Sequence, residues 1–157
     1  MIRLKFPLKI DEGVRKEVWV ELAPSMNIQV REHFQAKRKR KAVISRLIRL
    51  QMGGENFTHE VVTKKNKKTG KVTEKDVYTW NQSPLKNVRI VYRRASVKLL
   101  DPIDNFGASF KNLGDVIVEL GIISDDASDC IDDFKPDPHR VPHIKDAYIE
   151  IEIHETQ

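Results

Sequence analysis

The sequence predicts a single α/β domain in which a mixed β-sheet packs against two main helices, with a basic β-hairpin inserted between them. Three observations predict it. Both ends of the chain alternate apolar and charged residues with period two, the pattern of strands with one buried face. Two internal stretches carry apolar residues at helical spacing. Between those stretches, two β-prone segments flank Lys67-Lys68-Thr69-Gly70, a turn sequence. At 157 residues, 39% hydrophobic and 32% charged, the chain fits one soluble globular domain.

In chain order, Ile2, Leu4, Phe6 and Leu8 alternate with Arg3, Lys5 and Lys9, giving a first strand that breaks at Asp11 to Gly13. Glu17 to Leu22 adds a short second strand or irregular chain. Ser25 or Asn27 caps a helix that runs to about Met52 and stops at Gly53-Gly54, with Val43, Ile44, Leu47, Ile48 and Leu50 facing a core. This helix carries Lys37, Arg38, Lys39, Arg40 and Lys41, a run that cannot all be buried. It either contacts phosphates or is a solvated face.

Residues 60 to 80 form the hairpin, with Lys64, Lys65, Lys67, Lys68 and Lys71 at or near its tip. Such a tip can lie along a nucleic-acid backbone, although a solvated loop has the same composition. Tyr78 and Trp80, two residues apart, read as packing residues rather than base-stacking platforms. Val88 to Leu100 is a strand leading to Asp101 and Asp104. Phe110, Leu113, Ile117 and Leu120 place a helix from about Ser109 to Leu120, and Gly121 stands at the left-handed cap. Asp125 and Asp126 follow it. Residues 127 to 143 are rich in Asp and Pro and read as an irregular surface segment. Finally Ile149, Ile151 and Ile153 alternate with Glu150 and Glu152 in the clearest strand of the chain.

Charge is divided unevenly along the chain. Residues 1 to 100 carry a net +15 and residues 101 to 157 a net −10. A basic surface beside concentrated carboxylates suits a metal-dependent enzyme acting on nucleic acid, since cations attract phosphates and bound metal offsets the acids. Two solvated faces of different composition are the plainer reading. The lone Cys130 and the short, charged N-terminus are those expected of a cytoplasmic protein. Cys130, His139 and His143 give only a weak zinc signal, because the second cysteine of a usual site is missing. A strand, a loop and a returning helix are expected to bring Asp104 and Asp126 together as oxygen ligands for Mg²⁺ or Mn²⁺, with Lys111 facing the same place. Read locally, Asp104 and Asn105 would simply cap the helix and Asp125-Asp126 would form a turn.

Asp104-Asn105, then Lys111, Asp115, Gly121 and Asp125-Asp126, followed by a final alternating strand, resemble the RusA family of Holliday junction resolvases of bacteria and their phages. The family pattern is D-x-D-N, a lysine a few residues on, a helix ending in Gly, and D-D. The strong match covers residues 97 to 129, and residues 60 to 80 look like an insertion relative to the shortest members. The resemblance implies a homodimeric α/β endonuclease that nicks branched DNA symmetrically with Mg²⁺ held by aspartates. It assigns Asp104 and Asp126 to the metal with Asp125 beside them, and it assigns Lys111 to catalysis. The chain departs from the pattern at Asp101, which precedes Asp104 by one residue more than the motif. Asp101 joins the metal only where the chain bulges around Pro102. The other readings are a non-catalytic nucleic-acid-binding protein and an inactive RusA-like homologue.

Overall fold

Both ends of the chain meet in one sheet, as their matching alternation demands. The computed structural model describes residues 1–11, 19–24, 29, 34–100, 105–125 and 130–156, with backbone only at 11, 19 and 20. The elements are β1 (Ile2–Pro7), β2 (Lys9–Asp11), β3 (Trp19–Glu21), α1 (Phe34–Met52), β4 (Phe57–Lys65) and β5 (Val72–Trp80), then β6 (Val88–Ser96), α2 (Asn105–Glu119), β7 (Ile131–Arg140) and β8 (Tyr148–Glu155). The main sheet has the order β1-β8-β6-β7. β8 runs antiparallel to both β1 and β6, whereas β6 and β7 are parallel. A parallel pair needs a crossover, and α2 supplies it. The domain is therefore α/β with a mixed sheet and two main helices, and no helix among the described residues is long and apolar enough to cross a membrane.

One face of the sheet builds the core. Leu4 and Phe6 of β1 stand opposite Ile151 and Ile149 of β8, and all four are 1% exposed or less. Ile44 and Ile48 of α1 and Leu113 and Ile117 of α2 close over them, each fully buried. Each such side chain contributes about 1.5–3 kcal/mol of transfer free energy. Leu50 is 71% exposed instead of facing the core, because two helical positions beyond Ile48 turn a side chain to the far side. The other face of the sheet is ionic. Glu150 is only 2% exposed beneath Arg3, 3.0 Å away, and Arg93, which also pairs with Asp137 at 2.8 Å.

Three element boundaries differ from expectation. β6 stops at Ser96 rather than Leu100, where the Ser96 hydroxyl donates to the Lys98 carbonyl (2.7 Å) and accepts from Arg94 (2.6 Å), bending the chain. α2 begins at Asn105 instead of Ser109, because the fully packed Phe106 extends the apolar stripe by one turn. Residues 131 to 140 form a strand, not an irregular segment. β7 is an edge strand that pairs with β6 alone, so Pro136 and Pro138 can be accommodated without breaking a central ladder. Gly121 does end α2, at φ 71°, with Ile122 N–H donating to Ile117 O (3.0 Å), the long bond of a Schellman cap. Ser25 and Asn27, the expected caps of the first helix, lie outside the described residues.

Candidate nucleic-acid interface

The basic run on α1 divides according to helical angle. Lys37, Arg38 and Lys39 are exposed, but Arg40 is only 4% exposed and donates through Nε to the Glu21 carbonyl at 2.6 Å. Arg40 thus braces β3 against α1 and is not available as a phosphate contact. Lys41 is half-buried and reaches α2, where Nζ lies 2.8 Å from both Asp115 and Glu119. Burial disfavours its charge, yet the hydrogen bonds to those carboxylates prevail and hold its pKa above the ordinary lysine value. Asp115 is the reciprocal case. Burial alone would raise it, while Lys41 above all, with Lys111 and Lys37, holds it below the usual carboxylate range.

Lys111 lies on the exposed side of α2, its side chain 60% exposed and its Nζ 3.7 Å from Asp115 Oδ1. With α2 starting at Asn105, it stands nearly two turns into the helix. The motif lysine therefore borders the basic helix through a shared carboxylate.

Between α1 and the hairpin runs a groove of about 890 Å³, with Val116 of α2 and Leu120, just after that helix, in its floor. Seven cations line it, six from α1 and Lys75 from β5, against three carboxylates, Glu74, Asp76 and Glu119. At its root, the Arg49 guanidinium lies over the Tyr78 ring, 3.4 Å from its centroid. Tyr78 in turn stacks on His59 at 4.6 Å and 16° between planes, and His59 Nε2 is 2.7 Å from Asp76. This stack locks the hairpin to the helix. Trp80 packs in the core, as its spacing predicts.

Beyond that root the hairpin stands in solvent, every described residue from 58 to 76 being exposed. Its tip is ordered by Asn66, whose Oδ1 accepts from Lys68 N (2.9 Å) and Thr69 N (3.2 Å), and by Gly70 at φ 68°. Lys64, Lys65, Lys67, Lys68 and Lys71 are all exposed there. Glu74 and Asp76, on the wall facing α1, were not singled out by composition. Counting back by twos from the buried Trp80 through Tyr78 gives their side of the strand.

Asp101, Asp104 and Asp126 lie outside the described residues. Their described neighbours are not together. Asn105 heads α2, after the C-terminal end of β6. Asp125, which is exposed, follows the other end of α2. There Leu85, just before β6, pairs with Ile123, and Ser124 N donates to the Leu85 carbonyl at 3.1 Å. A helix of 15 residues is about 22 Å long. Asn105 and Asp125, the described neighbours of the expected ligands, thus stand at opposite ends of α2, which leads away from the loop after β6. The zinc signal also separates. Cys130 precedes β7, with its thiol 3.1 Å from Ser124 Oγ, whereas His139 lies near the far end of that strand, 2.9 Å from Asp137. No group of three or more His, Cys, Asp or Glu side chains suited to a metal occurs among the described residues.

No protein-family model matches this chain, and no curated protein matches it.

Proposed function

We propose that this protein is a Mg²⁺-dependent endodeoxyribonuclease that resolves four-way DNA junctions by paired, symmetric nicking during recombination and repair, acting as a homodimer. The observation that supports it is the position of Lys111. Asp115 joins it to Lys41, so the residue with a catalytic part in the RusA-like motif borders the helix whose charge suits a phosphate backbone.

The donor set of Asp101, Asp104, Asp125 and Asp126 consists of hard carboxylate oxygens, which fit Mg²⁺ or Mn²⁺. Bound metal would supply an activated water and offset charge on the phosphate. Lys111 stabilises the charge that grows on the attacked phosphate or the leaving oxygen. The exposed Lys37, Arg38 and Lys39 hold the flanking backbone without reading sequence.

Because Asn105 and Asp125 stand at opposite ends of α2, this reading calls for two copies. In such a dimer Asp101 and Asp104 of one protomer would meet Asp125 and Asp126 of its partner, and a two-fold axis would make two such sites. Two equivalent sites are what paired nicking requires. A non-catalytic nucleic-acid-binding protein is the second reading, and the same opposite placement favours it for a monomer.

Cleavage of a labelled four-way junction with Mg²⁺ and with EDTA tests the proposal. Cleavage is expected only with metal. Asp104→Asn and Asp126→Asn should each abolish it while junction binding persists or tightens, since one negative charge is gone. Lys111→Ala should keep binding and lose on the order of 10²-fold in turnover. Near-normal cleavage by either aspartate variant would sink the assignment.

A further inference from the structure

We propose that the groove between α1 and β5 holds a single-stranded segment of nucleic acid, with its phosphates along α1 and its base edges turned towards β5. The two walls are chemically different. On one side α1 presents Lys37, Arg38, Lys39 and Arg46. From Lys37 to Arg49 the helix rises about 18 Å, the length of roughly five stacked nucleotides at about 3.4 Å each. On the other side β5 presents Glu74, Lys75 and Asp76, a net negative charge that disfavours phosphate; Glu74, and Asp76 beside its contact with His59, accept hydrogen bonds from base amino groups, as carboxylates do from cytosine N4.

That asymmetry selects one strand over two. A duplex in this space would bring its second phosphate backbone against Glu74 and Asp76, and the Arg49–Tyr78 stack prevents the root from widening unless the two side chains part. A single strand instead satisfies both walls. It also meets Phe34, an aromatic side chain 59% exposed at the α1 end of the groove and able to stack on a base. The inference rests on nucleic acid being the ligand, as proposed above, and does not depend on cleavage.

Fluorescence anisotropy with labelled deoxynucleotide dodecamers tests it. A single strand of mixed sequence is expected to bind at least about tenfold more tightly than the blunt duplex of the same sequence, reversing the order that charge density alone would give. Lys37→Ala with Arg38→Ala, and separately Phe34→Ala, should each weaken single-strand binding by about tenfold. All three residues are exposed, and unchanged thermal melting would confirm that the variants are folded. Glu74→Gln with Asp76→Asn should narrow the preference for oligo(dC) over oligo(dT).

Equal affinity for strand and duplex would overturn the proposal, as would single-strand binding unmoved by the groove variants. Competition by an oligoglutamate peptide as effective as that of an oligonucleotide of equal charge would also overturn it, marking an acidic protein as the ligand. Groove-dependent strand binding without any junction cleavage would overturn the nuclease reading alone. Cleavage without groove-dependent strand binding would overturn this inference alone.

Discussion

Tyr92 concentrates, in one side chain, the forces that seat α2 on the sheet. Its ring contacts Phe106 and Phe110 of α2 and Phe134 of β7, with centroids 5.1–6.3 Å away. Its hydroxyl is fully buried, 3.1 Å from Ser109 Oγ. Ser109 gives its own proton to the Phe106 carbonyl at 2.6 Å, so Tyr92 is the donor between them. Burial, partly offset by Ser109, pushes the phenol up to about 12 from its ordinary 10.0. A raised folded-state value means that this stability is complete below pH 10 and is lost as pH rises towards 12, because the unfolded chain releases its proton first. Tyr92→Phe should therefore cost about 1 kcal/mol at neutral pH. Its stability deficit in urea titrations should shrink or reverse between pH 10 and 12. A deficit independent of pH over that interval would show that the hydroxyl does not titrate in the folded core.

At the level of elements, legibility followed the number of faces that an element buries. β1 and β8 were plain in the sequence because one face of each is apolar and the other charged, and the hairpin was plain because a turn sequence sits between β-prone runs. β7 was hidden. An exposed edge strand carrying two prolines and three aspartates from 131 to 140 has no apolar alternation to show. The run at Lys37 to Lys41 marked a basic helix, yet only the angle around α1 separates the exposed Lys39 from the buried Arg40. The candidate site shows in the sequence only as a pattern of aspartates around Lys111. Its geometry does not show there, since spacing along the chain does not tell which end of a helix faces a given loop. The hairpin itself yields a prediction at this scale. Only its root contributes Phe57 and Trp80 to the core, so neutralising Lys64, Lys65, Lys67, Lys68 and Lys71 together should leave thermal melting unchanged. Junction affinity should fall and its log–log salt slope should flatten by about 0.9 for each phosphate that is no longer neutralised, with the cleavage position unmoved. Unchanged affinity and slope would make the hairpin an ordinary solvated loop.

For the whole molecule, the placement of Asn105 and Asp125 turns the oligomeric state into a catalytic question. α2 keeps these two residues at opposite ends within one chain, so the metal site proposed above calls for the complementary end from a second copy. In a two-fold dimer each site would then draw Asp104 from one protomer and Asp126 from its partner. Mixing two inactive proteins separates this arrangement from a site built within one chain. In a heterodimer of Asp104→Asn with Asp126→Asn, sites shared between protomers leave one with both lesions and the other with none. Nicking should return, confined to one strand of the junction, with up to about half the sites in each heterodimer restored. Sites contained within single chains would leave every one of them damaged, and the mixture would stay as inactive as its parts. Size-exclusion chromatography with light scattering should find the dimer at the concentrations used for the assay. A monomer that cuts junctions in pairs, or a mixture of the two variants that forms heterodimers and never regains nicking, would refute the shared site.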